Sequence, residues 1–439
     1  MKKKYRIILY TSIFLLCVVA SIILVVKKSN SVYEEESKPK VVKHKSMLSM
    51  NLEQTAGSGD YKTVTQSSWP TEGYKFNAEL SKCENGSTLS WDDTKKAVIM
   101  QGNVSDKCYV YFDIWIPSIA DYCTSGTDLA TCVKNFGDQG PSVSNIYIHN
   151  SSLTNGAGDN SYRYAGANPN NFVCFGSDAS PCPIDNLYRI IGVFGENYHG
   201  ANGKQLVKLI KYDYMTTDEL GTDGDYSQTY KEWGMDSTYK GTYGDGERIG
   251  VYYWNYKATG SATNTWSTSL LNKTNLNTNF INNIGTTWAN KIATVTWKVG
   301  GNTWANIGTK TSSVAYTNEI TNPVTTNTTD NATTYSAKIG LMYVSDYGFA
   351  ASPDAWTLTM SSYNNTTATN NNWMYMGLYE WTISRYSDGS DFAFIVYNDG
   401  HVDGSHVHND YGVRASFNLE SSVSFVSGSG SMSDPIVIN

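Results

Sequence analysis

The sequence contains none of the short motifs that mark common catalytic centres. It has no G-x-S-x-G nucleophile elbow, no H-E-x-x-H pair, no phosphate-binding loop and no glycine-rich dinucleotide turn. Charge is also scarce, because Asp, Glu, Lys and Arg make up 17% of the 439 residues and the net charge is -7. No long basic stretch follows the first 45 residues. These absences argue against nucleic-acid binding and make an enzyme the less favoured class.

What the sequence has in abundance is tyrosine (32) and glycine (37), together with many Asn, Ser and Thr residues. Aromatic and β-branched residues favour strands, whereas Gly and Asn favour the turns between them. This composition is typical of a β-rich surface protein. We therefore predict a β-dominated α+β fold.

An uncharged run, IILYTSIFLLCVVASIILVV, occupies residues 7–26 and has lysines on both sides. Its length matches a membrane-spanning helix and exceeds the usual apolar core of a signal peptide. We predict an uncleaved transmembrane anchor in residues 1–28, with a cleaved signal peptide as the alternative. Lysines on both flanks leave the orientation open.

Six cysteines remain outside this apolar run, which holds Cys17. The simplest pairing joins Cys83 with Cys108, Cys123 with Cys132, and Cys174 with Cys182. An even number at short spacings, without C-x-x-C, favours disulfides over zinc. Other connectivities and free thiols stay open. Disulfides persist outside the cytosol, so we predict a single-pass cell-membrane protein with an extracellular body.

Composition divides the rest of the chain into three parts. Residues 29–50 are charged and lack an apolar period, which predicts a solvated stalk. Residues 51–117 read as a small β-rich module, which a disulfide would help to stabilise. Residues 118–439 form a larger domain, in which the Thr- and Asn-rich residues 300–335 read as a poorly ordered insertion.

Apolar runs place the main elements of the larger domain. LYRIIGVFG (187–195) and KQLVKLIKYDYM (204–215) predict a β-hairpin. Apolar residues at helical spacing predict a helix over residues 270–284. AKIGLMYVSDYGFA (337–350) and MYMGLYEWTISR (374–385) read as buried strands.

Three of the six histidines fall within FIVYNDGHVDGSHVHNDYGVRASFNL, residues 394–419. His406 and His408 are two apart, so on a strand they share a face and could hold a metal with His401 or Asp403. Zinc is favoured over calcium because imidazole dominates the set. The alternative, which we favour, is the polar rim of a hairpin whose returning strand begins at VRASFNL.

Two arginines and two tryptophans are the candidate ligand-binding residues. On this reading Arg385 and Arg414 lie on neighbouring central strands, each held by a buried carboxylate such as Asp346 or Glu380. A structural ion pair is the favoured role, and an anion or sugar-acid site is the alternative.

Tryptophans on loops can stack on sugar rings. Four lie on predicted loops: Trp254, Trp266, Trp356 and Trp373. Most of the 12 tryptophans must be core residues, and we keep Trp356 and Trp373 as candidate ligand contacts.

A series of motifs runs through the larger domain. The hairpin is followed by Trp266-Ser-x-Ser-Leu, Leu276-Asn277-x-x-Phe280, KIGLMYVSDYGFA, Trp381-x-x-Ser384-Arg385 and Gly412-Val413-Arg414. As a series it resembles an uncharacterised domain of bacterial surface proteins that ends in a Gly-Val-Arg-Pro motif. The resemblance covers about residues 160–439, with the anchor and the small first module in the same order. Its closing part is similar to C-type-lectin-like folds and to formylglycine-generating enzymes.

The resemblance implies a C-type-lectin-like α+β domain and no particular activity. Ala415 stands where the motif usually has Pro, which alters a strand edge rather than the fold. The histidine-rich segment is commonly aromatic or Asn-rich in that family, which disfavours a metal there.

Two functions follow from these observations. The first is a membrane-anchored extracellular binding or adhesion protein, with a glycan or a surface protein as partner. The alternative is an exported metal-dependent enzyme acting on cell-wall or glycan material, with the histidines as its centre. The sequence names neither the ligand nor the oligomeric state.

Overall fold

A computed structural model describes residues 48–65, 68–70, 72–103, 105–195, 203–257, 263–324 and 332–439. The chain divides into two compact units, and the boundary along the sequence lies between Ile116 and Pro117. The predicted anchor, residues 1–28, and the stalk up to residue 47 lie outside the described residues. Within the described ranges, no helix has the length and apolar character needed to cross a membrane.

The first unit is a four-stranded sheet with a separate hairpin. The sheet order is Tyr61–Val64, Leu48–Glu53, Cys108–Ile114 and Tyr74–Cys83, and the two central strands run parallel. The hairpin joins Thr88–Asp92 to Ala97–Gln101. The module thus begins three residues before the predicted start, inside the predicted stalk.

Alternating residues of the two central strands build the core of this unit. Met50, Leu52, Val110 and Phe112 are buried, and the rings of Trp69 and Trp91 pack on Phe112. So small a core buries little apolar surface. The disulfide between Cys83 and Cys108 crosses neighbouring strands and restricts the unfolded chain.

The second unit contains two larger sheets. The first has the order Ile339–Gly340, Ser416–Asn418, Leu206–Lys211, Leu187–Phe194, Tyr162–Tyr164 and Ile146–Ile148, and Phe172–Cys174 also pairs with Leu187–Phe194. The second has the order Tyr226–Thr229, Gly250–Tyr253, Asp410–Gly412, Glu380–Arg385, Phe392–Val396 and Val402–His406. Two short pairs, Val295–Lys298 with Thr334–Ala337 and Phe425–Ser427 with Val437–Ile438, complete its described strands.

Short helices connect these strands. The α-helices are Leu129–Gly137, Pro141–Ser144, Thr217–Leu220, Tyr230–Trp233, Ile281–Asn283, Gly285–Ala289, Ser312–Tyr316, Val344–Ala350 and Thr366–Thr369. Two π-helical segments are Leu271–Phe280 and Thr317–Thr321. Single 3-10 turns are Ile119–Asp121, Ile184–Asn186, Trp266–Thr268, Trp304–Asn306, Pro353–Thr357 and Met360–Ser362.

The hairpin at the centre of the first sheet is buried on both faces. Every residue of Leu187–Phe194 and Leu206–Lys211 is buried, which accounts for their continuous apolar runs. Helix Leu129–Gly137, capped by the Asp128 side chain, packs against this hairpin. Gly192 is needed because a Cβ there would overlap the carbonyl oxygen of Tyr162 on the next strand. The predicted hairpin is therefore present.

The prediction of one strand over residues 337–350 is wrong. Strand Thr334–Ala337 ends at the first residue of this run, Ile339–Gly340 is a second short strand, and the chain then turns into helix Val344–Ala350. The carboxylate of Asp346 accepts a hydrogen bond from the backbone N–H of Tyr343 and so caps that helix. All seven helix residues are buried, so their apolar pattern has no helical period.

The prediction of a poorly ordered insertion over residues 300–335 is also wrong for the part that the structure describes. Residues 300–324 hold a helix at Ser312–Tyr316 with buried neighbours such as Ile307 and Ile320. The Asn302 side chain bonds the carbonyls of Asn318 and Asn322, so the polar composition binds the segment together. Residues 325–331 lie outside the described ranges.

The helix predicted over residues 270–284 is present, and most of it is wound as the π-helix Leu271–Phe280. Asn275 and Asn277 point their side-chain amides at the carbonyls of Leu220 and Ile339. These long-range bonds compensate for the weak helix propensity of Asn.

The predicted returning strand of the histidine hairpin is wrong. Strand Phe392–Val396 pairs with Val402–His406, with Phe392 opposite His406. Asp403 and Gly404 therefore lie inside the returning strand. The segment expected to return, at Ser416–Asn418, pairs with Leu206–Lys211 in the other sheet. The alternation of apolar and polar residues did not show whether Val402–His406 or Ser416–Asn418 pairs with Phe392–Val396.

Candidate functional site

A cleft of about 580 Å³ opens on the second unit. Its walls come from the segments around Phe172 and Arg189 of the first sheet, from residues 369–376, and from the C-terminal residues 431–433. The volume is in the range of small-ligand sites. We take this cleft as the candidate functional site.

Arg189 is a buried cation on the wall of the cleft. Its guanidinium lies between two aromatic rings, 4.4 Å from the centroid of Phe172 and 4.6 Å from that of Trp373. Its N–H groups donate only to neutral oxygens: Asn171 Oδ1 (2.7 Å), Pro169 O (2.9 Å), Trp373 O (3.3 Å) and Asn168 Oδ1 (3.5 Å). Within the described residues no carboxylate forms an ion pair with it.

The environment of Arg189 is costly for a positive charge. Burial lowers the pKa of its guanidinium to about 9, and the positive charge of Arg414 adds to that effect. A pKa of about 9 still leaves the group charged at neutral pH. The fold therefore holds a desolvated positive charge beside the cleft, with neutral protein groups as its partners.

Lys240 brings a second positive charge to the same cleft. Its Nζ lies 4.3 Å from the ring centroid of Tyr375 and donates to the carbonyl of Thr369 at 3.3 Å. Partial burial lowers the pKa of this amine. The side chain is exposed, so its ammonium can reach a ligand without leaving the cleft rim.

Neutral polar groups and one open ring complete the lining. Asn168, Asn170, Asn370, Ser431 and Ser433 supply amide and hydroxyl groups. Tyr212, which is half-buried, supplies an aromatic face. None of the sixteen lining residues is acidic, whereas Arg189 and Lys240 are basic, and this balance of lining charges favours an anionic ligand.

The candidate tryptophans lie in different places. Trp373 lines the cleft, but it is 3% exposed because Arg189 covers its ring, so it supports the guanidinium instead of offering a face to a sugar. Trp356 is fully buried and donates from Nε1 to the Ala351 carbonyl. Trp254 and Trp266 are core residues packed on each other. Only Trp373 of the four belongs to the site.

Arg414 is a core residue paired with Glu380. The guanidinium donates to both carboxylate oxygens, at 2.7 and 2.9 Å, and to the Met374 carbonyl at 2.6 Å. Burial opposes the charge of Arg414, but the Glu380 carboxylate outweighs it and raises the pKa of Arg414. This is the structural arrangement that the sequence favoured.

Arg385 differs from the prediction because no carboxylate of the described residues pairs with it. Its guanidinium donates to the carbonyls of Val299 (2.8 Å), Tyr386 (3.2 Å) and Val324 (3.3 Å). Burial lowers its pKa to about 10. Backbone carbonyls satisfy its donors and tie the strand to residues 299–324. Asp346, the other predicted partner, instead bonds Lys208.

The histidines form two separate arrangements at opposite ends of one hairpin. His406 lies beside Asp391 and stacks on His408, and the ligand atoms of these three residues lie within 4.8 Å of one another. His401 pairs with Asp399 near the turn and stacks on Tyr397.

The predicted set is therefore divided. His401 and His406 are five residues apart, which on a strand is about 16 Å. Asp403 and His406 are three apart, so their side chains leave opposite faces.

All six cysteines outside the N-terminal run form the predicted local disulfides, Cys83–Cys108, Cys123–Cys132 and Cys174–Cys182. Asp106 lies near the first pair with metal-like spacing. Because both sulfurs are already bonded to each other, that group has no thiolate to offer a metal.

Sequence reasoning missed the residues that matter most in the cleft. Arg189 carried a signal, because it is the one charged residue in the buried run LYRIIGVF and buried arginines need a reason. Lys240 and Tyr375 carried none, since loops bring them together. Asp391 could be recognised only from the pairing of Phe392–Val396 with Val402–His406, which places it beside His406.

Searches against protein-family models, curated proteins and solved structures found no match to this chain. The resemblance to the Gly-Val-Arg-Pro surface proteins therefore stays a prediction.

Proposed function

We propose that this chain is an exported, membrane-anchored binding protein whose second unit holds an acidic carbohydrate in the cleft. The observation that carries the proposal is the buried guanidinium of Arg189, which lines the cleft and has only neutral partners. A ligand carboxylate would supply the missing negative charge.

The physical argument concerns the cost of that charge. Burying a cation without an anion is unfavourable, and this unit provides a carboxylate for Arg414 but only backbone carbonyls for Arg385. Arg189 differs from Arg385 because it lines a cleft, where a ligand carboxylate can reach it. Holding Arg189 between Phe172 and Trp373 without such a partner leaves the site ready to gain a charge-assisted bond. Lys240 at the rim adds attraction over a longer distance.

Carbohydrate is favoured over other anions by the remaining groups of the cleft. Amides and hydroxyls such as those of Asn168, Asn370 and Ser431 are suited to sugar hydroxyls, and the Tyr212 ring is suited to the apolar face of a pyranose. A phosphate site would be expected to use helix N-termini or clustered backbone N–H groups, and none of the lining segments named above begins a helix of eight residues or more.

Location outside the cytosol is part of the proposal. Three disulfides support it, because they persist in oxidising surroundings. The apolar run of residues 7–26 supports attachment to the cell membrane. A C-type-lectin-like architecture for the second unit rests on the motif series and agrees with a binding role, with adhesion as the cellular outcome.

A glycan array probed with the purified full-length chain in detergent tests this function. We expect binding to glycans that carry a hexuronic or nonulosonic acid, and little binding to the neutral sugars of the same linkage. Added salt should weaken the attraction between the ligand carboxylate and the two cations of the cleft. The effect should be smaller for the desolvated Arg189 than for a pair of charges on the surface. Equal binding of acidic and neutral partners, or no binding at all, would reject the proposal.

A further inference from the structure

We propose that Asp391, His406 and His408 bind one zinc ion at the outer end of the histidine hairpin. This site is separate from the cleft and does not depend on its ligand. It differs from the set that the sequence indicated, because Asp391 takes the place of His401 and Asp403.

The fold brings the three side chains together by backbone hydrogen bonds. Val407 donates to the Asp391 carbonyl at 2.8 Å, which fixes the end of the hairpin. Asn409 donates to the carbonyl of His406 at 2.8 Å and closes a tight turn. That turn sets His408 over His406, with their ring centroids 5.0 Å apart and the planes at 27°.

The distances suit a small ion. His406 Nδ1 lies 2.9 Å from Asp391 Oδ2, and two ligand atoms around tetrahedral zinc are about 3.3 Å apart for bonds of about 2 Å. All three ligand atoms lie within 4.8 Å of one another. His408 is exposed, so its side chain has room to move toward the metal.

The donor set selects the metal. Two imidazoles and one carboxylate match the ligands that zinc uses, whereas calcium needs six or more oxygens, of which the group supplies two. Three protein ligands leave one tetrahedral position for water or for a further ligand. The side chains of His406 and Asp391 are 45% and 33% exposed and His408 is exposed, so that position faces solvent.

Zinc titration of the purified full-length chain, by calorimetry and by competition with a chromophoric chelator, tests the site. We expect one equivalent of zinc to bind, an excess of calcium to leave it bound, and the melting temperature to rise with zinc. His408→Ala should weaken binding by roughly tenfold or more, and His406→Ala with His408→Ala should abolish it. Because His408 is exposed, its loss leaves the fold intact.

His401→Ala is the matched control, since it removes an imidazole from the same hairpin but from the other end. Its zinc affinity should equal that of the unmodified chain. The proposal is overturned by the absence of zinc binding, by unchanged affinity in His408→Ala, or by a loss in His401→Ala as large as that in His408→Ala.

Discussion

Arg414 and Glu380 form a two-pronged ion pair in the interior of the second unit, with N–O distances of 2.7 and 2.9 Å. Glu380 begins a central strand of the second sheet, and Arg414 lies just after the strand Asp410–Gly412, where the chain crosses to the first sheet. The pair therefore fastens the crossing between the two sheets. The bond from Arg414 to the Met374 carbonyl ties the segment that leads to the cleft.

Arg414→Ala should destabilise the second unit by about 3 to 5 kcal/mol, because it leaves the buried carboxylate of Glu380 without its cation. A loss of this size is a large part of the stability of a typical domain. Chemical denaturation followed by tryptophan fluorescence measures it.

Arg248→Ala is the matched control for that experiment. Arg248 pairs with Asp185 at 2.7 Å, but both side chains are more than a third exposed. Its removal should cost no more than about 1 kcal/mol. If Arg414→Ala unfolds at the same denaturant concentration as Arg248→Ala, the structural role assigned to Arg414 is wrong.

Much of the secondary structure could be predicted from local pattern. The hairpin Leu187–Phe194 with Leu206–Lys211 and the helix after Trp266 follow from apolar period and turn residues. The failures share a cause, which is that side-chain hydrogen bonds decided the local structure. Asp346 caps a helix within a fully buried segment, and Asn302 holds a Thr- and Asn-rich segment together.

The candidate sites were harder to predict than the fold. The partner of Arg414 was one of two carboxylates considered, because both lie in predicted buried strands. The cleft depends on Arg189, Lys240 and Tyr212 meeting across loops, and no spacing in the sequence encodes that meeting. The histidine group depends on which strand pairs with Phe392–Val396. Because the wrong returning strand was predicted, Asp391 was not among the candidate ligands.

Glu319 predicts a pH dependence of stability. Burial raises the pKa of its carboxyl to about 7 from an ordinary value of 4.5, against the hydrogen bonds from the N–H groups of Val344 and Ser345. Between pH 4.5 and about pH 7, the folded chain therefore keeps the proton on Glu319, whereas the unfolded chain has lost it. The stability that the group contributes is full below pH 4.5 and is lost as the pH rises through about 7.

Glu319→Gln, which cannot titrate, isolates this contribution. Relative to that variant, the unmodified chain should lose up to about 3 kcal/mol of unfolding free energy between those two pH values. Denaturation of both proteins at several pH values measures the difference in unfolding free energy. The contributions of the other carboxylates are the same in both proteins and therefore cancel. Parallel stability curves for the two proteins would show that Glu319 titrates normally.

The disulfides predict a simple count of thiols. Alkylation of the denatured full-length chain without reductant should modify one cysteine, Cys17, because the other six are bonded in pairs. After reduction all seven should react. Mass spectrometry gives the count, and three or more modified cysteines before reduction would contradict both the pairing and the proposed exported location.

The central claim is that the cleft recognises a negative charge through Arg189 and Lys240. The most direct measurement is the equilibrium affinity for the strongest acidic glycan of the array, compared between Lys240→Glu and Lys257→Glu. Both substitutions reverse one exposed charge, but only Lys240 lines the cleft. Lys240→Glu should weaken binding by roughly tenfold or more, since a like charge then faces the ligand carboxylate, whereas Lys257→Glu should leave the affinity unchanged. Equal affinities for the two variants would contradict the account.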